Sequence, residues 1–551
     1  MNTDENFEHE VRKNQQELAA RIGEPFDYIV CGAGTAGCVV AARLAEDPDL
    51  RILLIEAGGD DETELVQDPN RWPLTLGGEL DWAFTTEPSQ RVNGRALGYS
   101  MGKVLGGGSS INVSTWSRGH RADWDFYAAE VDEKAWSYRA VLDLYRTRIE
   151  RWTGKPDTDY RGENGLVHVQ PAQGPQPFSD RLLASAESLG LTRFSNANGR
   201  MMEAAAGCSL VDETVSNGRR KSIYRSYLYP RMAQRNLTVL MRAQVSRIVF
   251  ENRRATKVEF EYHDAVFTAV ATREIVLSLG AIHTPKVLMQ SGIGPESELE
   301  RAGIDRVQIL EGVGRNLHDH VSIASVWASD GDVLGPSPRS ETACFWTSRA
   351  DLDSPNFYSY AISGAYLTPE NSSPSALPAH CWTQVIGMRP QSRGSVHLTG
   401  PASTDKVRIE ANYLAEEQDL TDLQSGLRFA REMATTPALA EFCKYQIAPN
   451  PFDLAGLTQY IRNGVTTFWH QSGTAKMGLD SLSVVDGKLR VHGVEGLRVA
   501  DASVLPGVTS GNTMAPCVVV GEQAARFMRE TVASNRSDMV GPDNSPLTLA
   551  H

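Results

Sequence analysis

The sequence predicts an α/β chain, α+β overall, in which a Rossmann-like dinucleotide-binding domain is joined to a discontinuous second domain built on a β-sheet flanked by helices. Three observations carry this expectation. A strand, a glycine turn, a helix and a second strand follow one another between Asp27 and Gly58. Strand-then-turn patterning returns far along the chain, at Arg273–Gly280 and at Leu497–Asp501. Between those returns, from about residue 320 to 465, the periodicity is mixed and aromatic residues are frequent. At 551 residues the chain exceeds the roughly 250–300 at which a single core stops growing, so at least two domains are expected.

The first 25 residues are polar, with Phe7, Val11, Leu18 and Ile22 on one stripe of a helix, a spacing that marks packing rather than chemistry. This segment lacks the apolar core of a secretory signal, and no later window approaches about 18 uninterrupted apolar residues. The βαβ unit follows. Tyr28 to Cys31 is an apolar run of strand length, broken by Gly32, Gly34 and Gly37, with Thr35 and Ala36 between the last two. Gly32 permits the tight turn, Gly34 admits a pyrophosphate to the backbone, and Gly37 lets the helix lie close on the sheet. The phosphates would sit on the helix N-terminus. The second strand, Arg51 to Ile55, ends at Glu56 and Ala57, where an acid takes the hydroxyls of an unphosphorylated ribose. A lone glycine pattern is weak evidence; strand, turn, helix, strand and acid in order are strong. FAD and NAD present the same ADP half, and this unit does not separate them.

Next comes GKVLGGGSSIN, where Gly106, Gly107 and Gly108 run into Ser109, Ser110 and Asn112, with Lys103 just before. Its backbone amides, hydroxyls and amide side chain suit phosphate and ring-edge hydrogen bonds. Residues 160–215 read as turn-rich and irregular, with Pro171–Pro177 as a crossing between domains. Leu237–Met241, Arg247–Phe250 and Lys257–Tyr262 read as a small antiparallel sheet. Arg273–Ser278 then forms a strand that ends at Gly280 and feeds a helix. Beyond Thr466, a short strand leads to Asp501 and Ala502, and a helix is predicted over Pro516–Met528 with Thr513 as its cap. Ser534–His551 reads as a loose tail. These breaks place the first domain at 25–165, 215–318 and 468–533, the second at 166–214 and 319–467, and extensions at 1–24 and 534–551.

With 54 Lys and Arg against 68 Asp and Glu, the net charge of −14 argues against nucleic-acid or anionic-membrane partners. The 7 cysteines are scattered without CxxC spacing, which fits a reduced, cytoplasmic setting. His318 and His320 alternate as strand-borne metal ligands would, but no further Cys or His cluster accompanies them, so no metal is expected.

Taken together, GAGTAG with Glu56, GKVLGGGSSIN, GAIHTPKVLMQSGIGP, and the C-terminal HQSGTAKMG with GLRVADASVLP and GNT resemble the glucose–methanol–choline family of flavin oxidoreductases. The likeness spans Asp27 to about Met528 and implies FAD as cofactor. Carried over residue by residue, it implies cofactor contacts from Gly32, Gly34, Thr35, Ala36, Gly37, Glu56, Ala57, Lys103, Gly107, Gly108, Asn112, Val245, Gly280, Asp501, Ala502, Asn512 and Thr513. His470 falls on the catalytic histidine and Asn512 on its partner position. A near-neutral histidine can take the hydroxyl proton as hydride leaves the carbinol carbon, and a neutral amide can hold the oxygen.

Two departures bear on detail. Tyr99 stands where some choline oxidases attach flavin to histidine, which implies noncovalent FAD. Ser322 stands where they hold the trimethylammonium group with glutamate, which counts against choline. The resemblance therefore implies oxidation of a primary alcohol to an aldehyde, of an aromatic or other uncharged kind, with O2 or another acceptor for the reduced flavin. The alternatives are a choline-type dehydrogenase or oxidase and a hydroxynitrile lyase on the same fold. The oligomeric state is not legible.

Overall fold

The computed structural model describes residues 3–335, 337–372 and 377–539. One seven-stranded sheet carries the dinucleotide motif. Its parallel part runs in the order Leu237–Leu240, Ile52–Ile55, Phe26–Cys31, Ala265–Leu277, with Leu497–Val499 on the far side of the last. Ile52–Ile55 is buried at every position, as a strand covered on both faces must be. Ala265–Leu277 is long enough to leave the parallel part and continue into an antiparallel meander with Arg254–Tyr262 and Ala243–Glu251.

Leu237–Leu240 thus departs from expectation: it is a parallel edge strand on Ile52–Ile55, not a member of the meander. Its apolar run cannot distinguish the two, because pairing partners are set by the chain's path. The N-terminal helix Thr3–Ala19 guards this edge. Val11 and Leu18 are buried, and Gln15 accepts from the Val239 amide at 2.8 Å while donating to the Leu237 carbonyl.

The second seven-stranded sheet runs Tyr445–Ala448, Val321–Ala328, Cys381–Met388, Phe357–Ser363, Thr342–Trp346, Gly207–Leu210, antiparallel throughout, with Thr466–Thr467 also on Val321–Ala328. Phe357–Ser363 shows how this sheet divides its faces. Phe357 and Ala361 enter the core shared with helices Pro177–Ser188, Glu417–Ala434 and Leu454–Gly464. Tyr358 and Tyr360, pointing the other way by the period of two, join Phe345 and Phe468 in a separate cluster.

Residues 160–215 are more ordered than their turn-rich composition suggests. They include the strand Val167–Pro171 and the helix Pro177–Ser188, with a proline in its first turn, where a missing N–H costs nothing. The closing helix spans Met514–Met539, longer at both ends than predicted, so 534–539 continue the helix rather than forming a tail. Residues 540–551 lie outside the described residues.

Candidate active site

A cavity of about 250 Å³ opens along the C-terminal ends of the parallel strands and reaches Phe468, Trp469 and His470 beside the second sheet. The helix Thr35–Leu44 starts at Gly34 without a capping side chain, so its first amides have no side-chain partner and suit a phosphate. Gly37 lies behind them: a Cβ there would come within 1.9 Å of the Gly32 carbonyl oxygen. The glycine loop meets the same turn from above. Gly107 has φ 52°, and a Cβ on it would lie 2.8 Å from the Gly34 Cα, so the two loops touch backbone to backbone.

Of the residues anticipated for the cofactor, Gly32, Gly34, Thr35 and Ala36 line the cavity from this turn, and Glu56 and Ala57 from the end of the second strand. Gly107, Gly108 and Asn112 line it from the glycine loop, Val245 from the meander and Gly280 from a helix start. Asp501, Ala502, Asn512 and Thr513 complete it from the C-terminal motif. Gly37 and Lys103 do not line it. Gly37 sets the helix position, and Lys103 lies over the ring of Trp82, which does line the cavity, at 4.8 Å.

Glu56 accepts from the Ala33 and Gly58 amides, each at 2.8 Å, and burial pushes its carboxyl up to about 7. Asp501 accepts from the Gly280 amide and the Thr284 hydroxyl through one oxygen and from the Ser503 amide through the other. It binds a helix start to a strand end, so its carboxylate serves the scaffold.

At the opposite end, Val321 and Ser322 pair with Thr467 and Thr466, and the segments running out of that pairing carry His320 and His470 to one another. Their Nδ1 atoms are 2.9 Å apart. His470 Nε2 lies 3.3 Å from Asn512 Nδ2, and the Tyr360 hydroxyl donates to Asn512 Oδ1. Tyr358 brings its hydroxyl to 3.3 Å from His470 Nδ1. Burial lowers His470 to about 3, so its ring is neutral at ordinary pH. Asp319, raised to about 6 by burial, anchors the segment by accepting from the His470 amide at 2.8 Å, from the Tyr413 hydroxyl at 2.7 Å and from the Thr467 hydroxyl. Trp469, next to the histidine, has φ 60°, a strained state for a bulky residue that costs roughly 1–3 kcal/mol. The Thr467 hydroxyl accepts its amide at 2.7 Å and the ring meets Trp72 edge to face.

Sequence reasoning missed His320, Asp319 and Tyr360 as members of this site and placed Tyr358 only as a candidate cage aromatic, not as a partner of His470. The signal for the tyrosines was the alternation in FYSYAIS; for His320 and Asp319 it was only their place in NLHDHVS. Ser322 does not line this cavity: its hydroxyl donates to the Thr467 carbonyl, and it borders a separate small pocket. It therefore says nothing about a cation beside His470. Tyr99 is buried in the second core with its phenol on Tyr413 at 2.7 Å.

Sequence comparison matches the N-terminal GMC oxidoreductase profile to residues 26–322 and the C-terminal one to residues 390–521. The chain belongs to the GMC oxidoreductase family. An oxygen-dependent choline dehydrogenase of Escherichia coli (strain SMS-3-5 / SECEC) is 35% identical over 93% of this chain and 96% of its own. Among solved structures, pyridoxine 4-oxidase from Mesorbium loti superposes with a TM-score of 0.85 at 29% identity, over 92% of this chain and 99% of that one. A formate oxidase superposes with a TM-score of 0.84 at 25% identity, over 93% and 99%. This GMC oxidoreductase is an FAD-dependent enzyme acting on CH–OH donors. The uncapped helix, the glycine cradle and Glu56 fit the ADP half of that cofactor. Among the described residues, no helix is long and apolar enough to cross a membrane, and no cluster of three or more His, Cys, Asp or Glu could hold a metal.

Proposed function

We propose that this GMC oxidoreductase converts a primary alcohol of aromatic or heteroaromatic type to the aldehyde, with noncovalent FAD, His470 as base and Asn512 as its partner. The observation that carries the reading is the pairing of His470 Nε2 with Asn512 Nδ2, 3.3 Å apart, at the aromatic end of a cavity whose other end fits a dinucleotide. A substrate hydroxyl placed there donates to Nε2 and accepts from the amide. His470 takes the proton, a role worth about 10²–10⁴-fold. Asn512, held by Tyr360, keeps the oxygen in place as negative charge grows on it. FAD, held by the glycine turn and the Gly107–Gly108 loop, would supply the hydride acceptor for the carbinol carbon.

The carboxylates lining the cavity are Glu56 and Asp501, both tied to backbone amides, and neither belongs to the His470 network. Phe468, Trp469 and Trp72 line it instead, which supports a flat, uncharged substrate. The likeness to pyridoxine 4-oxidase, whose name specifies a heteroaromatic alcohol, points the same way. A choline-type substrate is the second reading, favoured by the likeness to choline dehydrogenases and by the Trp72 and Trp469 rings, since an aromatic cage can hold a quaternary ammonium. Noncovalent attachment is supported by Tyr99, whose phenol is engaged away from the cavity. The 7 free cysteines support a cytoplasmic setting.

Anaerobic mixing with benzyl-type alcohols, a pyridine methanol and choline at matched concentrations tests this. The aromatic alcohols are expected to bleach the flavin fastest. A tenfold preference for choline, about 1.4 kcal/mol, would hand the site to the second reading. Cyanohydrin cleavage without bleaching would make the chain a lyase. Acid precipitation is expected to leave yellow FAD in the supernatant.

A further inference from the structure

The hydrogen bonds around His470 have a direction that can be followed from one end to the other. Asn512 is set with Oδ1 on the Tyr360 hydroxyl, which donates to it, and with its amide nitrogen on His470 Nε2. An amide NH2 only donates. Nε2 must therefore offer a lone pair, and in a neutral imidazole the proton then sits on Nδ1. That Nδ1 faces the Nδ1 of His320 at 2.9 Å, a distance that needs one donor and one acceptor. His320 Nδ1 is thus the acceptor and its own proton sits on Nε2, which is buried without a hydrogen-bond partner. Tyr358, at 3.3 Å from His470 Nδ1, can accept a share of the same proton through its phenolic oxygen and does not oppose this polarity.

We propose that His320 is a positioning residue that holds His470 as the Nδ1–H tautomer, so that Nε2 keeps an unprotonated lone pair, directed at the Asn512 amide here and passed to the substrate hydroxyl when that oxygen takes up the amide. The proposal rests on the reading of His470 as base and extends it. During turnover the substrate O–H bond breaks and an Nε2–H bond forms, giving an imidazolium whose Nδ1–H still points at the neutral His320 ring. No proton need leave His320. The arrangement does with a second histidine what a buried carboxylate does behind the histidine of a hydrolase triad, fixing the tautomer and the ring plane. The two rings stand at 89° to one another with centroids 5.1 Å apart, so an Nδ1 lone pair meets an Nδ1–H edge to edge.

The test is the ¹⁵N spectrum of the histidine-labelled FAD holoenzyme at neutral pH, with His470 assigned by its loss in His470→Ala. The wild type is expected to show His470 Nε2 as an unprotonated, imine-type nitrogen and Nδ1 as a protonated one. A protonated Nε2 in the neutral wild type overturns the proposal without recourse to any variant. In His320→Gln, whose side-chain oxygen can accept from Nδ1–H, the spectrum should persist and the limiting rate of anaerobic flavin reduction should stay within about tenfold. In His320→Leu the tautomers should mix and that rate should fall by about 10²-fold, within the range of a misdirected proton transfer, with the apparent substrate Kd nearly unchanged. Wild-type spectrum and rate in the leucine variant overturn the inference. If His470→Ala itself keeps the rate, the reading of the base has failed; if only His320→Leu keeps it, the base stands and His320 is packing.

Discussion

The two ends of the cavity are built from different materials. At the dinucleotide end the working groups are backbone amides, and the side chains have been removed: Gly32, Gly34 and Gly107 bring main chain to main chain, and Glu56 holds the turn through two amide contacts. At the end proposed for the alcohol the backbone serves as support, and side chains from distant segments meet: His470, Asn512, His320, Tyr358 and Tyr360. The difference teaches that damage should separate cleanly. A change at the first end should cost cofactor, and a change at the second should cost rate while the cofactor stays.

The sharpest attempt to break this contrast is Gly37→Ala. Its Cβ would come within 1.9 Å of the Gly32 carbonyl oxygen, a backbone atom that cannot turn aside, so the helix must move off the strand. Purified protein is expected to hold little or no FAD by absorbance; a full complement of flavin would show that the first end is softer than its geometry. At the second end, His470→Ala should retain FAD and lose about two to four orders of magnitude in flavin reduction by alcohol. Loss of the flavin itself would blur the division. Asn512→Ala should cost about 3 kcal/mol or less, as removal of one hydrogen-bond donor does. That side chain lines the cofactor cavity as well as touching His470, so its flavin affinity, measured by titration of apoprotein, is the sharper readout.

Tyr360→Phe removes only the hydroxyl that orients Asn512, and a net hydrogen bond of about 0.5–1.5 kcal/mol predicts a loss of roughly 2–10-fold in the reduction rate. The smallest expected effect is that of acid. Burial lowers His470 from its usual value to about 3, so as pH falls through 6.5 the folded enzyme does not take up the proton that would silence its base. His470 should add no falling limb to the limiting rate of anaerobic reduction between pH 8 and 5, read in Asp319→Asn as well as in the wild type because the Asp319 carboxyl, raised to about 6, titrates in that range beside the His470 amide. A falling limb with its midpoint near 6.5 would place His470 in a wetter site than the packed rings of Phe468, Tyr358 and His320 provide.

Much of the first end was legible because its requirements are local. A tight turn, a helix start and an acid at the end of the next strand lie within a few tens of residues, and glycine spacing records them directly. The strand Leu237–Leu240 shows the limit even there: its apolar run announced a strand, but whether it joined the meander or the parallel edge depended on Ile52–Ile55, far away in the chain. Residues 166–214 hid the helix Pro177–Ser188 for a related reason, since its flanking prolines and glycines dominate the composition while its packed face is satisfied only by other elements.

What the sequence determined alone was the set of chemically competent residues and the backbone that cradles a dinucleotide, because glycine placement and strand-helix alternation act over short range. It also carried His470 and Asn512 through the motifs they belong to. What only the tertiary structure decided was the company they keep. Antiparallel pairing of the segment around Val321 with Thr466–Thr467 sets His320 against His470, and the pleat of Phe357–Ser363 sends Tyr358 and Tyr360 to the same place. Ser322, which the sequence offered as a judge of substrate charge, faces elsewhere for the same reason. Hydrogen bonds between side chains more than a hundred residues apart leave no periodicity in the chain, so their direction, and with it the tautomer of the base, exists only once the two sheets have closed around the cavity.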